Sequence, residues 1–146
     1  FLVVLGSDYV QRHQFFVTPA SAALSLALLV AALLLINGCP DVAADAAVGK
    51  RTLAVRLGPE GAAWAYLGLV LAAHGWLAVS VGLRLAPGAA LWGLLALPLS
   101  LAAAALLLRH AHQPRRLKPA LALTVAATLL HGLGMAAGFG WVALRH

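Results

Sequence analysis

Apolar residues fill four long blocks of this chain, 19–36, 60–83, 87–108 and 119–144, and polar residues gather in the connectors between them. A helix needs about 20 apolar residues to cross a bilayer, so each block qualifies, or nearly does, as a span. Each begins with or just after a proline: Pro19, Pro59, Pro87 and Pro119. Proline suits a first helical turn because its missing N–H would be unpaired there anyway. Thr18, just before Pro19, is a candidate N-cap. Pro98 falls inside the third block and predicts a kink, with neighbouring helices pairing the freed backbone. In lipid every backbone polar group must be satisfied internally, which selects helices over open strands. The opening residues FLVVLG (1–6) carry neither Met nor a basic leader segment, so they read as the last turns of a further helix. The pattern therefore predicts an all-α polytopic transmembrane bundle. It forms a single membrane domain over 1–146, truncated at its N-terminus, with a polar loop or helix at 37–58.

Composition strengthens the membrane reading. Hydrophobic residues make up 63% of the chain and charged residues 10%, and the mean hydropathy is +0.95. A soluble domain carries about 25% charged residues. The net charge of +6 does not signal nucleic acid, because no basic face carries interleaved aromatics. The basic residues follow bilayer topology instead. One set of connectors holds seven Lys/Arg (Lys50, Arg51, Arg56, Arg109, Arg115, Arg116, Lys118), and the other holds three (Arg12, Arg84, Arg145). The positive-inside rule assigns the richer side to the cytoplasm. With a single cysteine, Cys39, there is no intrachain disulfide and no zinc set.

One connector concentrates charge against the background. INGCPDVAADAAVGKRTLAVRLG, residues 36–58, holds Asp41 and Asp45, two of the four acids in the chain, followed by Lys50, Arg51 and Arg56. Asn37, Asp41 and Asp45 recur every four residues, which on one helix places them on one face, with Gly49 positioned to end that helix. Two carboxylates are hard oxygen ligands, and Mg2+ is commonly held by one or two carboxylates together with substrate phosphates. The basic run can take the remaining phosphate charge. Two acids at helical spacing are more often a solvated face. Acids beside membrane spans, however, are costly and tend to be functional.

The same stretch resembles the second aspartate-rich motif of the UbiA superfamily of intramembrane prenyltransferases. Asn37, Asp41, Asp45, Gly49, Lys50, Arg51, Thr52, Leu53 and Gly58 fall on its pattern. GSDYVQ upstream and PALALTVAATLLHGLGMAAGFG downstream are similar to the menaquinone branch, which prenylates 1,4-dihydroxy-2-naphthoate. The resemblance implies the second half of a nine-helix fold around a central cavity. It also implies Mg2+ bridging to a polyprenyl diphosphate and an electron-rich aromatic acceptor. Asp41 and Asp45 would bind the metal, Asn37 would support that shell, and Lys50 and Arg51 would stabilise the departing diphosphate. The expected location is the bacterial inner membrane, with the motif facing the cytoplasm. The sequence departs from the pattern in three ways. The first aspartate-rich motif is absent, so the chain alone is expected to be inactive. Val42, Ala43 and Ala44 are all apolar, and Gly38 and Cys39 replace polar positions. The alternatives are another acceptor (hydroxybenzoate, homogentisate, a chlorophyll precursor or a lipid glycerol phosphate) and a non-catalytic membrane remnant or transporter piece.

The remaining polar residues have mostly structural readings. His74 and His131 sit mid-span, where a neutral ring bonded to a neighbouring helix is the commoner case. Tyr9 and Gln11 suit interface anchors at the non-cytoplasmic end. RHAHQPRRLK (109–118) lacks the carboxylate or thiolate a metal site needs and suits a loop meeting anionic lipid. Gly134 and Gly138 form a G-x-x-x-G pair suited to close helix packing. Trp64, Trp76, Trp92 and Trp141 fit an interfacial belt.

Overall fold

The computed structural model describes residues 1–14 and 16–145, which are almost wholly helical and include no strand. Six α-helices follow in order: α1 (Leu2–Arg12), α2 (Val17–Gly38), α3 (Val42–Ala47), α4 (Leu53–Gly82), α5 (Leu97–His110) and α6 (Lys118–Ala143). A 3-10 segment, Gly88–Ala96, runs directly into α5, and a one-turn 3-10 piece, Pro114–Arg116, precedes α6. Four stretches are long and apolar enough to cross a membrane: Val17–Gly38, Leu53–Gly82, Gly88–His110 and Lys118–Ala143. The protein is an all-α polytopic bundle of the integral membrane class.

The helix starts differ in detail from the proline positions. Helix α2 begins at Val17, with Phe16 as N-cap, so Thr18 lies inside the first turn and caps nothing. Proline tolerates this because the first four N–H groups of a helix have no intrahelical partner. The turn into α2 is held from α1, where the Asp8 carboxylate accepts the Phe16 N–H at 3.1 Å. Helix α1 itself continues past residue 6 to Arg12 and closes on His13 in a left-handed conformation. Within α4 the backbone breaks at Gly58 (φ 69, ψ 174), immediately before Pro59. That conformation is essentially restricted to glycine, which gives the motif's last glycine its reason. Pro98 does not kink a continuous helix. It sits in the first turn of α5, and the irregularity precedes it as the 3-10 segment.

Small residues let the spans approach closely, the usual device where lipid removes the hydrophobic drive between helices. Ala32, Ala62, Ala63, Ala73, Ala103 and Ala120 are fully buried, alongside Leu29, Ile36, Tyr66 and Leu107. The most extensive contact joins α6 to the 3-10 segment. Ala90, Gly93 and Ala96 are its buried residues, a spacing of three that matches three residues per 3-10 turn. Opposite them lie Gly134 and Gly138. A Cβ on Gly134 would come within 2.6 Å of Trp92 O, and one on Gly138 within 2.1 Å of Ala89 O. The G-x-x-x-G pair thus serves packing inside the chain, and dimerisation is not needed to explain it. Large leucines such as Leu95, Leu129 and Leu133 remain exposed.

Polar groups inside the bundle find partners across helices. Tyr66 Oη lies 2.7 Å from Thr124 Oγ1, which itself donates to Ala120 O. His131 Nδ1 lies 3.0 Å from Gly93 O, and Trp76 Nε1 donates to Ser21 O. His131 is therefore a ring bonded to neighbouring segments. His74 Nδ1 bonds Val70 O within its own helix, and its ring meets that of His131 edge-on at 5.1 Å.

Candidate functional site at the motif end of the bundle

Successive antiparallel spans bring the 39–52 and 111–117 connectors to the same end of the bundle. Cys39, Pro40 and Val42 share a cavity wall with Ala111, His112 and Pro114, and His112 Nε2 lies 3.2 Å from Glu60 Oε1. Arg84, Pro87 and Thr18 meet at the opposite end, as do Arg12 and Phe139. The sequence division of Lys/Arg into seven and three is thus a division in space.

The motif does not form one helix. Asn37 lies in the last turn of α2, exposed, and α2 stops at Gly38. Pro40 accounts for the break, since it has no N–H to give the preceding turn and its ring clashes with the carbonyl four residues back. Asp41 then takes the N-cap position of α3, and Asp45 lies one turn further on, its N–H bonded to Asp41 O at 2.8 Å. The two acids remain one turn apart at α3, whereas Asn37 belongs to a different helix. Gly49 ends α3 as expected. At φ 74 it donates to Ala46 O while Lys50 N–H reaches back to Asp45 O, the paired bonds of a Schellman stop.

That stop turns Lys50 back over the helix it has just left. Lys50 Nζ lies 3.0 Å from Asp45 Oδ1, with the lysine side chain 62% exposed and the aspartate side chain 14%. A pair this exposed contributes at most about 1 kcal/mol, so a divalent cation on the carboxylate and a phosphate on the ammonium can displace it. Asp41, Arg51 and Arg56 are exposed at the same end. Thr52 follows as the N-cap of α4, its hydroxyl accepting Val55 N–H at 3.3 Å. Cys39 is buried, its thiol donates to Leu35 O, and burial pushes its pKa up.

Among the described residues no group of three or more His, Cys, Asp or Glu could form a metal cage. Two neighbouring carboxylates nevertheless fit Mg2+, which keeps waters and substrate phosphates in its remaining positions.

At this end an apolar cavity is lined by Ala31, Leu34, Gly38, Thr52 and Leu53. At the opposite end of the bundle stands Asp8, a residue outside the sequence candidates. Asp8 is only 8% exposed and faces Arg12 Nε at 3.6 Å. An acid beside apolar residues is the signal that marks Asp41 and Asp45, and it applies to Asp8 equally.

No solved structure matches this chain. The 1,4-dihydroxy-2-naphthoate octaprenyltransferase of Haemophilus influenzae is 35% identical over 142 residues, covering 94% of this chain and 46% of the relative. The enzyme of the same description from Escherichia coli is 35% identical over 135 residues, covering 90% of this chain and 42% of the relative. The chain thus spans somewhat less than half the length of these relatives. The model of the UbiA prenyltransferase family matches residues 1–127, and the chain belongs to that family.

Proposed function

We propose that the protein containing this chain transfers a polyprenyl group from its diphosphate to an aromatic acceptor, 1,4-dihydroxy-2-naphthoate. The observation that carries this reading is the ion pair of Asp45 with Lys50, one turn on from Asp41 and next in sequence to Arg51, at the end of the bundle where Gly38, Thr52 and Leu53 line an apolar cavity. An amphiphile with a diphosphate head and a long apolar tail matches both halves of that arrangement. Asp41 and Asp45 would hold Mg2+, with Asn37, in the last turn of α2, as a further polar group near it. Such an ion would supply neutralisation of the diphosphate charge and so a better leaving group. Lys50 exchanges Asp45 for a phosphate oxygen, and Arg51 offers a planar fork to another. Cations fixed where negative charge develops stabilise the transition state. As the allylic C–O bond breaks, its electron pair leaves on the diphosphate, the aromatic carbon attacks the allylic cation, and the ring regains aromaticity by releasing what that carbon carried, a proton to the freed diphosphate or the carboxylate as CO2. The apolar surroundings keep water from competing.

Holding both Mg2+ and a diphosphate takes more oxygen ligands than Asp41 and Asp45 supply, so this chain alone is expected to be inactive. The membrane is the bacterial inner membrane and the motif faces the cytoplasm, in keeping with the seven-to-three charge division. The test is Asp41→Ala and Asp45→Ala, each in the complete protein. Mg2+-dependent prenyl transfer should fall about 100-fold or more while both variants insert normally. Parental turnover in either variant would refute the assignment.

A further inference from the structure

We propose that the α5–α6 connector, clasped to α4 by His112 and Glu60, is the seat that holds the carboxylate helix α3 in place, which makes these two residues positioning residues for the metal site. This rests on the Mg2+-dependent transfer proposed above. Helix α3 has six residues and buries none of them. Isolated helices shorter than about 12 residues are marginal in water, and this one hangs between the break at Pro40 and the left-handed turn at Gly49. What it rests against therefore decides where Asp41 and Asp45 stand. Pro40 and Val42, on either side of Asp41, share a cavity of about 200 Å³ with Pro59, Ala111, His112 and Pro114. Val42 and Ala111 also pack against one buried cluster, in which Leu117 anchors the far end of the connector.

One side-chain bond closes this seat. His112 Nε2–H donates to Glu60 Oε1 at 3.2 Å, across 52 positions of sequence. Glu60 stands just past the break at Gly58, so the bond ties the connector to the point where α4 resumes. An acid in a first helical turn also favours the helix N-terminus by itself, a role that needs no histidine. The two roles separate at His112→Ala, which keeps the acid and removes the clasp. Both side chains are more than half exposed, which limits the pair to about fivefold in any equilibrium it biases. Opening the clasp lowers the fraction of protein ready to take the metal, and apparent affinity falls with that fraction.

The experiment uses the complete protein in nanodiscs. It reads the affinity for Mn2+, a paramagnetic stand-in for Mg2+, and the alkylation rate of Cys39, which lines the same cavity, with the label located by mass spectrometry. Glu60→Ala and His112→Ala should each weaken Mn2+ binding about two- to fivefold and speed Cys39 alkylation by a similar factor. The double variant should go no further than either single one, because residues in contact do not act additively. The exchange of Glu60→His with His112→Glu should restore both readouts. Gln113→Ala, at an exposed neighbour, should leave both at parental values. Faster alkylation with parental Mn2+ affinity would overturn the positioning role, and parental values in both readouts would overturn the clasp. An effect confined to Glu60→Ala would overturn it too, leaving the acid to serve its own helix. Mn2+ binding that survives Asp41→Ala and Asp45→Ala together would remove the proposed metal site and this inference with it. Binding that needs those aspartates but ignores the clasp variants removes only the inference.

Discussion

Ser25 Oγ lies 2.8 Å from His131 Nε2, joining α2 to α6 across 106 positions of sequence. The hydroxyl also reaches Ala73 O in α4 at 2.9 Å, and the other ring nitrogen reaches Gly93 O in the 3-10 segment. One serine and one histidine therefore tie four segments together in the middle of the bundle. With the ring neutral, Nδ1–H donates to Gly93 O. The single hydroxyl proton of Ser25 then serves both Ala73 O and Nε2. Ser25→Ala should lower stability by about 1 kcal/mol, within the range of interhelical bonds in membranes. Unfolding in mixed micelles measures it, and no change would mean the contact is dispensable.

The G-x-x-x-G face tolerates no added carbon. Because a Cβ on Gly138 would meet the Ala89 carbonyl at 2.1 Å, the backbone of one segment must move. Gly138→Ala should cost about 1–3 kcal/mol, as overpacking does. Gly140, with open space around it, is the control, and Gly140→Ala should leave stability within about 0.5 kcal/mol. Equal effects at the two positions would argue against this packing.

Gly58 presents the opposite situation. A Cβ there meets nothing within 4 Å, yet its φ of 69 is one that other residues rarely adopt. The strain of Gly58→Ala should amount to about 1–3 kcal/mol. Its relief would straighten α4 through the break and shift Arg56 relative to the carboxylates. Prenyl-transfer activity should therefore fall more steeply than the amount of folded protein, a contrast read from the two assays side by side.

Cys39 should resist alkylation. Its side chain is buried, and burial raises its pKa, so the reactive thiolate forms only at higher pH than in an exposed cysteine. Maleimide labelling in the folded protein should be slow at neutral pH and approach the rate of a free thiol only on unfolding. Rapid labelling under native conditions would place the α2–α3 junction in the open.

Orientation can be read with added cysteines. Arg84→Cys should react with a membrane-impermeant reagent applied outside intact cells, and Arg115→Cys only after permeabilisation. The reverse pattern would invert the topology proposed here.

Much of this architecture was legible as lengths of apolar sequence, because lipid leaves a backbone few ways to satisfy itself. The motif's position was also legible, since acids are so scarce in the chain that Asp41 and Asp45 stand out. What periodicity concealed was the break at Pro40. Spacing of four put Asn37 on the helix of the carboxylates, but one ring without an N–H separates them. Thr18 misled similarly, because a proline in the first turn does not say which turn residue comes first. The partners of His131 lie at Ser25 and Gly93, and no local pattern points to pairings so far away. The A-x-x-G-x-x-A spacing of the 3-10 segment is visible in the sequence. It departs from helical periodicity by too little to be distinguished without its partner helix.

The 3-10 segment also changes how far the third span reaches. Its nine residues, Gly88–Ala96, advance about 18 Å at 2.0 Å each, where an α-helix would advance about 13.5 Å. With α5 behind it, the span from Gly88 to His110 outreaches a hydrocarbon core of roughly 30 Å by several ångströms. Such an excess is absorbed by tilting or by local thickening of the bilayer. Because α6 is locked to this segment through Gly134 and Gly138, the two must lean together. The pair makes the protein sensitive to the thickness of the membrane that receives it.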